Sequence, residues 1–361
     1  MYNIHLLPAS FGDSILIEYG KANDPHYILI DGGPYFVYDE IMDALKEVAP
    51  ELKTIDLLVV THIDIDHIDG IVKLLNSDEL PFGIKDIWFN GWEQLPESDV
   101  LGGIQGEYLG ELIKSKDIPH NLAFEGKPIA IDELEDVIEF DTGLKLTLLS
   151  PNKKALSKLR DEWEKTVREA GLEMGDTVAI LEKLREDHRY EDEEEEEDIL
   201  GDMDIEELAA SDPRGDKSAA NGSSIAFIAE YEGKRCLFAG DAHSDKLKDA
   251  LEERMLLDTN GKLKLDVWKL AHHGSRKSTL DYLMEMIDCK RFLISSDGKR
   301  YHHPDAETLA KLIKINGPEL EFHFNHRSAF AEKWEDPDLE KEFKYKPFYP
   351  SAGKKGISIR L

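Results

Sequence analysis

Ten residues, Thr-His-Ile-Asp-Ile-Asp-His-Ile-Asp-Gly from Thr61 to Gly70, constrain this chain more than any other stretch of it. The apolar run Asp56–Val60 leads into them and reads as a buried strand; Ile68–Leu75 follows with the spacing of a helix. His62, Asp64 and Asp66 alternate, so in an extended turn they point to a common side, and His67 opens the helix. Neutral imidazole and carboxylate are good ligands for Zn²⁺ or Mn²⁺. A polar strand-to-helix turn needs one capping aspartate, such as Asp66; it does not call for two histidines and two aspartates in six residues.

Three further segments end an apolar strand on a potential ligand. Tyr27–Ile30 runs into Asp31-Gly32-Gly33, Arg235–Ala239 into Gly240-Asp241, and Asp266–Ala271 into His272-His273-Gly274-Ser275. Each alone is an ordinary turn, with Gly240 permitting close backbone approach. Four such strand ends in one chain are a site pattern, because α/β-type folds gather ligands where strands end.

Strands are expected at Asn3–Leu7, Ser14–Tyr19, Tyr27–Ile30, Asp56–Val60, Asp86–Phe89, Leu144–Leu149, Ser224–Tyr231, Lys234–Phe238, Leu265–Leu270, Arg291–Ile294, Leu320–Phe324 and Ile357–Arg360. Helices fit Tyr38–Val48, His243–Met255, Thr279–Ile287 and Asp305–Ile315. Strands outnumber helices, and the two halves share one rhythm. This predicts an α/β (α+β) single domain over residues 1–361, a four-layer αββα sandwich with helices outside two sheets.

Residues 151–220 break that rhythm. Ala155–Gly171 and Thr177–His188 read as exposed helices, and Glu191–Asp198 is an unbroken acidic run. The formal net charge is −31, and residues 186–216 hold 16 acids against Arg189 and Arg214, so this segment supplies −14 of it. Such a block stays solvated, which predicts a helical and acidic insertion over 151–220, partly disordered, with partner binding or gating of the site as its alternative uses. An acidic surface repels phosphate backbones, so tight non-specific DNA binding needs metals and a local basic patch to compensate. No run approaches the roughly 20 apolar residues of a membrane span, no secretory signal opens the chain, and two cysteines, Cys236 and Cys289, read as buried thiols. The expected location is cytoplasmic.

The order of these motifs resembles the metallo-β-lactamase superfamily, and within it the hydrolase domain of ComEC-type DNA-uptake proteins. The resemblance rests on Gly12-Asp13-Ser14, Asp31-Gly32-Gly33, the H-x-D-x-D-H of His62, Asp64, Asp66 and His67, Asn221 and Ser224 ahead of Gly240-Asp241, His272 to Ser275, and Ser295 with His303-Pro304. It implies two divalent metal ions, Zn²⁺ or Mn²⁺. Asp66, His67 and one histidine of the His272-His273 pair would hold one, His62 and Asp64 the other, with Asp241 bridging. The resemblance favours His272 as that ligand, with His273 behind it or on the substrate, the reverse order staying open. Asn221, Ser224, Ser275 and His303 become substrate-contacting candidates, and Asp66, Asp241 and His303 catalytic ones. Two departures stand out. Asp64 occupies a position where the commonest signature has histidine, which favours Mn²⁺. The superfamily's third histidine motif has no counterpart, since His120 reads as a surface-loop residue. ComEC's membrane channel is also absent, so DNA import does not carry over.

Two adjacent metals generate hydroxide near neutral pH and offset charge on phosphate oxygens. The expected activity is therefore a metal-dependent phosphodiesterase or nuclease acting through a metal-activated hydroxide on a phosphodiester, with nucleic acid among its substrates. Lys269, Arg276, Lys277, Lys299 and Arg300 would supply local positive charge. The alternatives are a small-molecule phosphoesterase or other ester hydrolase, which the acidic surface favours, and a catalytically vestigial interaction module presenting the insertion to a protein partner.

Overall fold

The computed structural model describes residues 1–95, 104–133, 137–169 and 203–361. Alternation along the strands builds the layers. In Asp24–Ile30, Tyr27 and Leu29 face one way and Ile28 and Ile30 the other, and both sets are buried, so the strand is covered on both faces. One six-stranded sheet has the order Ile357–Arg360, Tyr2–Leu6, Ile15–Lys21, Asp24–Ile30, Leu57–Val59, Ile87–Trp88. An eight-stranded sheet has the order Tyr345–Phe348, Leu320–Phe324, Arg291–Ile294, Val267–Lys269, Lys234–Phe238, Ala226–Tyr231, Lys145–Ser150, Ile138–Glu139.

Three apolar cores match the three interfaces of an αββα stack. Ile4, Ile17, Ile28 and Trp88 of the first sheet meet Leu146, Phe227, Phe238 and Leu293 of the second in the middle core. Leu16, Leu29 and Leu58 turn outward onto Ile41, Leu45, Ile68 and Ile71 of the Tyr38–Val48 and Ile65–Leu75 helices. Trp268, Phe292 and Phe322 pack outward against Leu247, Leu251, Leu309 and Leu312. The four-layer sandwich is the architecture expected from the strand rhythm.

The segment around 151–220 departs from the reading as exposed helices. The Lys153–Glu169 helix buries Leu156 and Leu159 in the core beneath the first sheet, and Arg160 lies 4.0 Å from the Trp92 ring. Ile205, in the Ile205–Ala209 helix, is buried against the outer face of the second sheet. A few apolar residues among many charges suffice to dock each piece. The Thr177–His188 helix and the Glu191–Asp198 run lie outside the described residues. Cys236 and Cys289 are free, buried thiols, as expected.

Candidate metal centre

All the strand-end motifs converge on one point. Leu57–Val59 carries His62 in on its C-terminal side, and the Ile65–Leu75 helix starts with Asp64 at its N-cap and Asp66 and His67 in its first turn. Glycine lets the surrounding loops close in. A Cβ on Gly12 would lie 1.9 Å from the Asp66 carbonyl oxygen, and Gly240, at φ +49°, sits where a Cβ would meet Ser224 Oγ at 2.4 Å.

Asp241, 2% exposed, is the centre of the cluster. Its Oδ1 lies 3.4 Å from His67 Nε2, and its Oδ2 lies 3.8 Å from both His62 Nε2 and His272 Nε2. Asp64 Oδ2 is 3.5 Å from His62 Nε2. On the other side His273 Nε2 is 3.2 Å from Asp66 Oδ2, and Asp66 Oδ2 is 3.8 Å from His67 Nε2. Ligand atoms of His62, His67 and Asp241, and of Asp66, His67 and His273, all come within 4.8 Å of one another. His273, and not the preferred His272, lies beside Asp66 and His67. His272 turns to the His62 side, the side that lacks the third motif. Both histidines are left-handed, at φ 49° and 55°, and this double twist throws their rings in different directions.

The rings are held by their Nδ1 atoms. His67 Nδ1 meets Asp31 Oδ2 at 2.8 Å, His273 Nδ1 donates to the Ser295 carbonyl at 2.9 Å, and His62 Nδ1 meets Thr61 Oγ1 at 3.0 Å. A carbonyl only accepts, so Nδ1 of His273 carries the proton and a neutral ring offers Nε2 as a lone pair. The Thr61 hydroxyl donates to Asp31 at 2.7 Å, which leaves it to accept from His62. His272 Nδ1 is 3.3 Å from Ser278 Oγ and 3.6 Å from Asp216 Oδ2.

His62 Nε2, His67 Nε2 and Asp241 Oδ1 are buried without a hydrogen-bond partner. Leaving such atoms unmatched is costly unless a cation takes their lone pairs. The local potential agrees. Burial alone would lower the imidazoles, yet Asp241, Asp66 and Asp31 hold His67 well above its ordinary value, and Asp13 and Asp241 push His273 up to about 9. A field that favours imidazolium this strongly favours a divalent cation in the same place, so the donor set fits metal.

Other expected site residues take different places. Asn221 donates to Asp216 Oδ2 at 2.6 Å and lies 3.3 Å from His272 Nδ1, and Ser224 Oγ accepts from the Asp241 backbone N–H at 3.0 Å. Both are buried, as is Ser275 in the His272 turn, whose hydroxyl accepts from the Lys277 backbone N–H at 3.4 Å. Lys269 is fully buried and donates to Asp13 Oδ2 at 2.6 Å, so it is not a surface cation; Arg276 pairs with Glu307. His303 does reach the rim, its ring 5.3 Å from His272 and 6.3 Å from Tyr301. His120 is remote, bonded to the Phe89 carbonyl at 2.9 Å. Sequence reading missed Asp216, which counted only as one charge of the acidic segment, and Tyr301, whose signal is the aromatic two residues before His303. It quoted Asp13 and Asp31 as motif letters without the bracing roles they have.

Residues 7–148 match the family model of the metallo-beta-lactamase superfamily, and the chain has the metallo-β-lactamase fold. Over 134 residues, 37% of this chain, it is 30% identical to ComE operon protein 3 of Bacillus subtilis (strain 168), and that stretch is 16% of the relative's length. Among solved structures it is similar to a diphosphatase of the PhnP family, at 12% identity and TM-score 0.41 over 100% of this chain and 98% of the other. It is also similar to the E377D mutant of CmlA beta-hydroxylase, at 9% identity and TM-score 0.39 over 100% and 54%. No helix among the described residues is long and apolar enough to cross a membrane.

Proposed function

We propose that this chain is a metal-dependent phosphodiesterase or nuclease with two divalent ions. His62, Asp64 and His272 would hold one, Asp66, His67 and His273 the other, and Asp241 would bridge. The observation that carries the reading is Asp241, whose two oxygens are divided between His67 on one side and His62 with His272 on the other. When bound, such a metal pair acidifies water near neutral pH and neutralises charge on phosphoryl oxygens.

The chain's own residues supply the rest. Asp31, Thr61 and the Ser295 carbonyl fix the tautomers of His67, His62 and His273. Asp66 and Asp241 are placed to orient water. His303, at the rim beside His272, is the proposed proton donor to the leaving oxygen. The −31 charge favours short or small phosphodiesters over long polyanions. Metal-stripped protein reconstituted with Zn²⁺ or Mn²⁺ and given an oligonucleotide and a small diester tests the reading. Turnover of a phosphodiester that disappears in Asp241→Ala supports it; a metal-loaded protein inert towards both substrates returns the chain to the interaction-module alternative.

A further inference from the structure

Exposed aromatic side chains scattered singly are ordinary, whereas several sharing one patch mark an interaction site. Among the described residues five are exposed, Tyr35, Phe36 and Tyr301 among them. Phe11 joins the last two: its ring is 5.9 Å from Phe36 and 5.7 Å from Tyr301. The Arg300 guanidinium lies 5.2 Å from the Phe11 ring centre and 5.4 Å from that of Tyr301. Phe36 is 50% and Tyr301 40% exposed, whereas Phe11 is 5% exposed and acts as the floor. From Tyr301 the contacts continue to His303 at 6.3 Å and from there to His272 at 5.3 Å. A cavity of about 620 Å³ opens along Phe36, with Glu40, Asp297, Lys299, His326 and Phe330 among its walls.

We infer that Phe36, Tyr301 and Arg300, built on Phe11, form a stacking platform for a nucleobase of a short single-stranded phosphodiester whose backbone lies at the metal centre. The inference deepens the phosphodiester reading above and rests on it. Aromatic faces accept any base, and a guanidinium plane adds cation–π attraction. A duplex hides its base faces, so the platform selects single strands. Outside the metal centre the acidic chain offers little phosphate neutralisation, so stacking adds attraction there and the salt dependence should be shallow.

The test uses the metal-loaded protein, a phosphorothioate-linked four-nucleotide thymidine strand, its abasic counterpart and a hairpin-closed duplex long enough to stay paired. Binding is followed by fluorescence anisotropy. Wild type should hold the thymidine strand about tenfold tighter than the abasic one, the scale of one stacked base. Phe36→Ala and Tyr301→Ala should each lose most of that difference with metal content unchanged. Equal binding of the two strands, duplex binding as tight as single-strand binding, or a preference that survives both substitutions overturns the platform. A base preference without any hydrolysis of the ordinary phosphodiester keeps the platform and removes the enzyme reading instead.

Discussion

The two halves of the metal centre are built differently. Asp66, His67 and His273 are 7%, 0% and 0% exposed; on the other side His62 is equally buried at 0%, while Asp64 and His272 are 43% and 25% exposed. The deep half is braced from sequence-distant elements: Asp31 holds His67, and Ser295 with the Asp13–Lys269 pair holds His273. The outer half leans on Thr61, Ser278 and the longer Asp216 contact. On the two-metal reading proposed above, the tightly braced, buried set would fix its metal, and the half-open one would leave room for exchange and for substrate. The rim residue His303 lies on that open side, its ring 5.3 Å from that of His272.

Asp241 belongs to both halves, so Asp241→Ala should have the largest effect. Metal content should fall from near two ions per chain, and phosphodiester turnover should drop to background. Unchanged metal by elemental analysis would remove Asp241 from the centre and dissolve the comparison. Next comes Lys269→Met, which leaves Asp13 buried and uncompensated behind His273 and should cost about 3–5 kcal/mol of stability in denaturant melts. A loss under 1 kcal/mol would mean the deep half does not depend on that pair.

Asp31→Asn should weaken the tighter metal about 10–100-fold, whereas Asp216→Asn should weaken only the looser one, by about tenfold or less. Competition with a chelator reads both; equal losses would break the distinction between halves. Asp64→His should move the metal giving the highest rate from Mn²⁺ towards Zn²⁺, since imidazole replaces an exposed carboxylate on the open half. Identical metal profiles for wild type and variant would show that Asp64 does not set the preference. The smallest effect is expected from deleting residues 191–198, which should leave melting temperature and basal rate within error. Deleting 189–214 instead removes buried Ile205 and should cost about 1.5–3 kcal/mol.

Much of the fold follows from short-range pattern. The Tyr38–Val48 helix and the Lys234–Phe238, Arg291–Ile294 and Leu320–Phe324 strands fall on the residues their periodicity indicates. The Tyr345–Phe348 strand does not, because Pro347 argues against a strand and is tolerated here only at the sheet edge. The Ile104–Ser115 helix is obscured by Gly106 and Gly110, which its packing overrides.

By itself the sequence determined which donors exist and that they stand at strand ends: His62, Asp64, Asp66, His67, Asp241 and the His272-His273 pair. Side-chain chemistry is local and is written residue by residue. Only the tertiary structure decided which carboxylates each histidine meets and what braces it. His272 and His273 are neighbours in sequence, yet two left-handed residues send one ring to His62 and the other to Asp66. The braces join residues far apart in the chain, Asp13 to Lys269 and His273 to Ser295, and Asp216 reaches His272 from a segment that reads as mere charge. Such directions depend on how the layers pack, and no short-range pattern carries them.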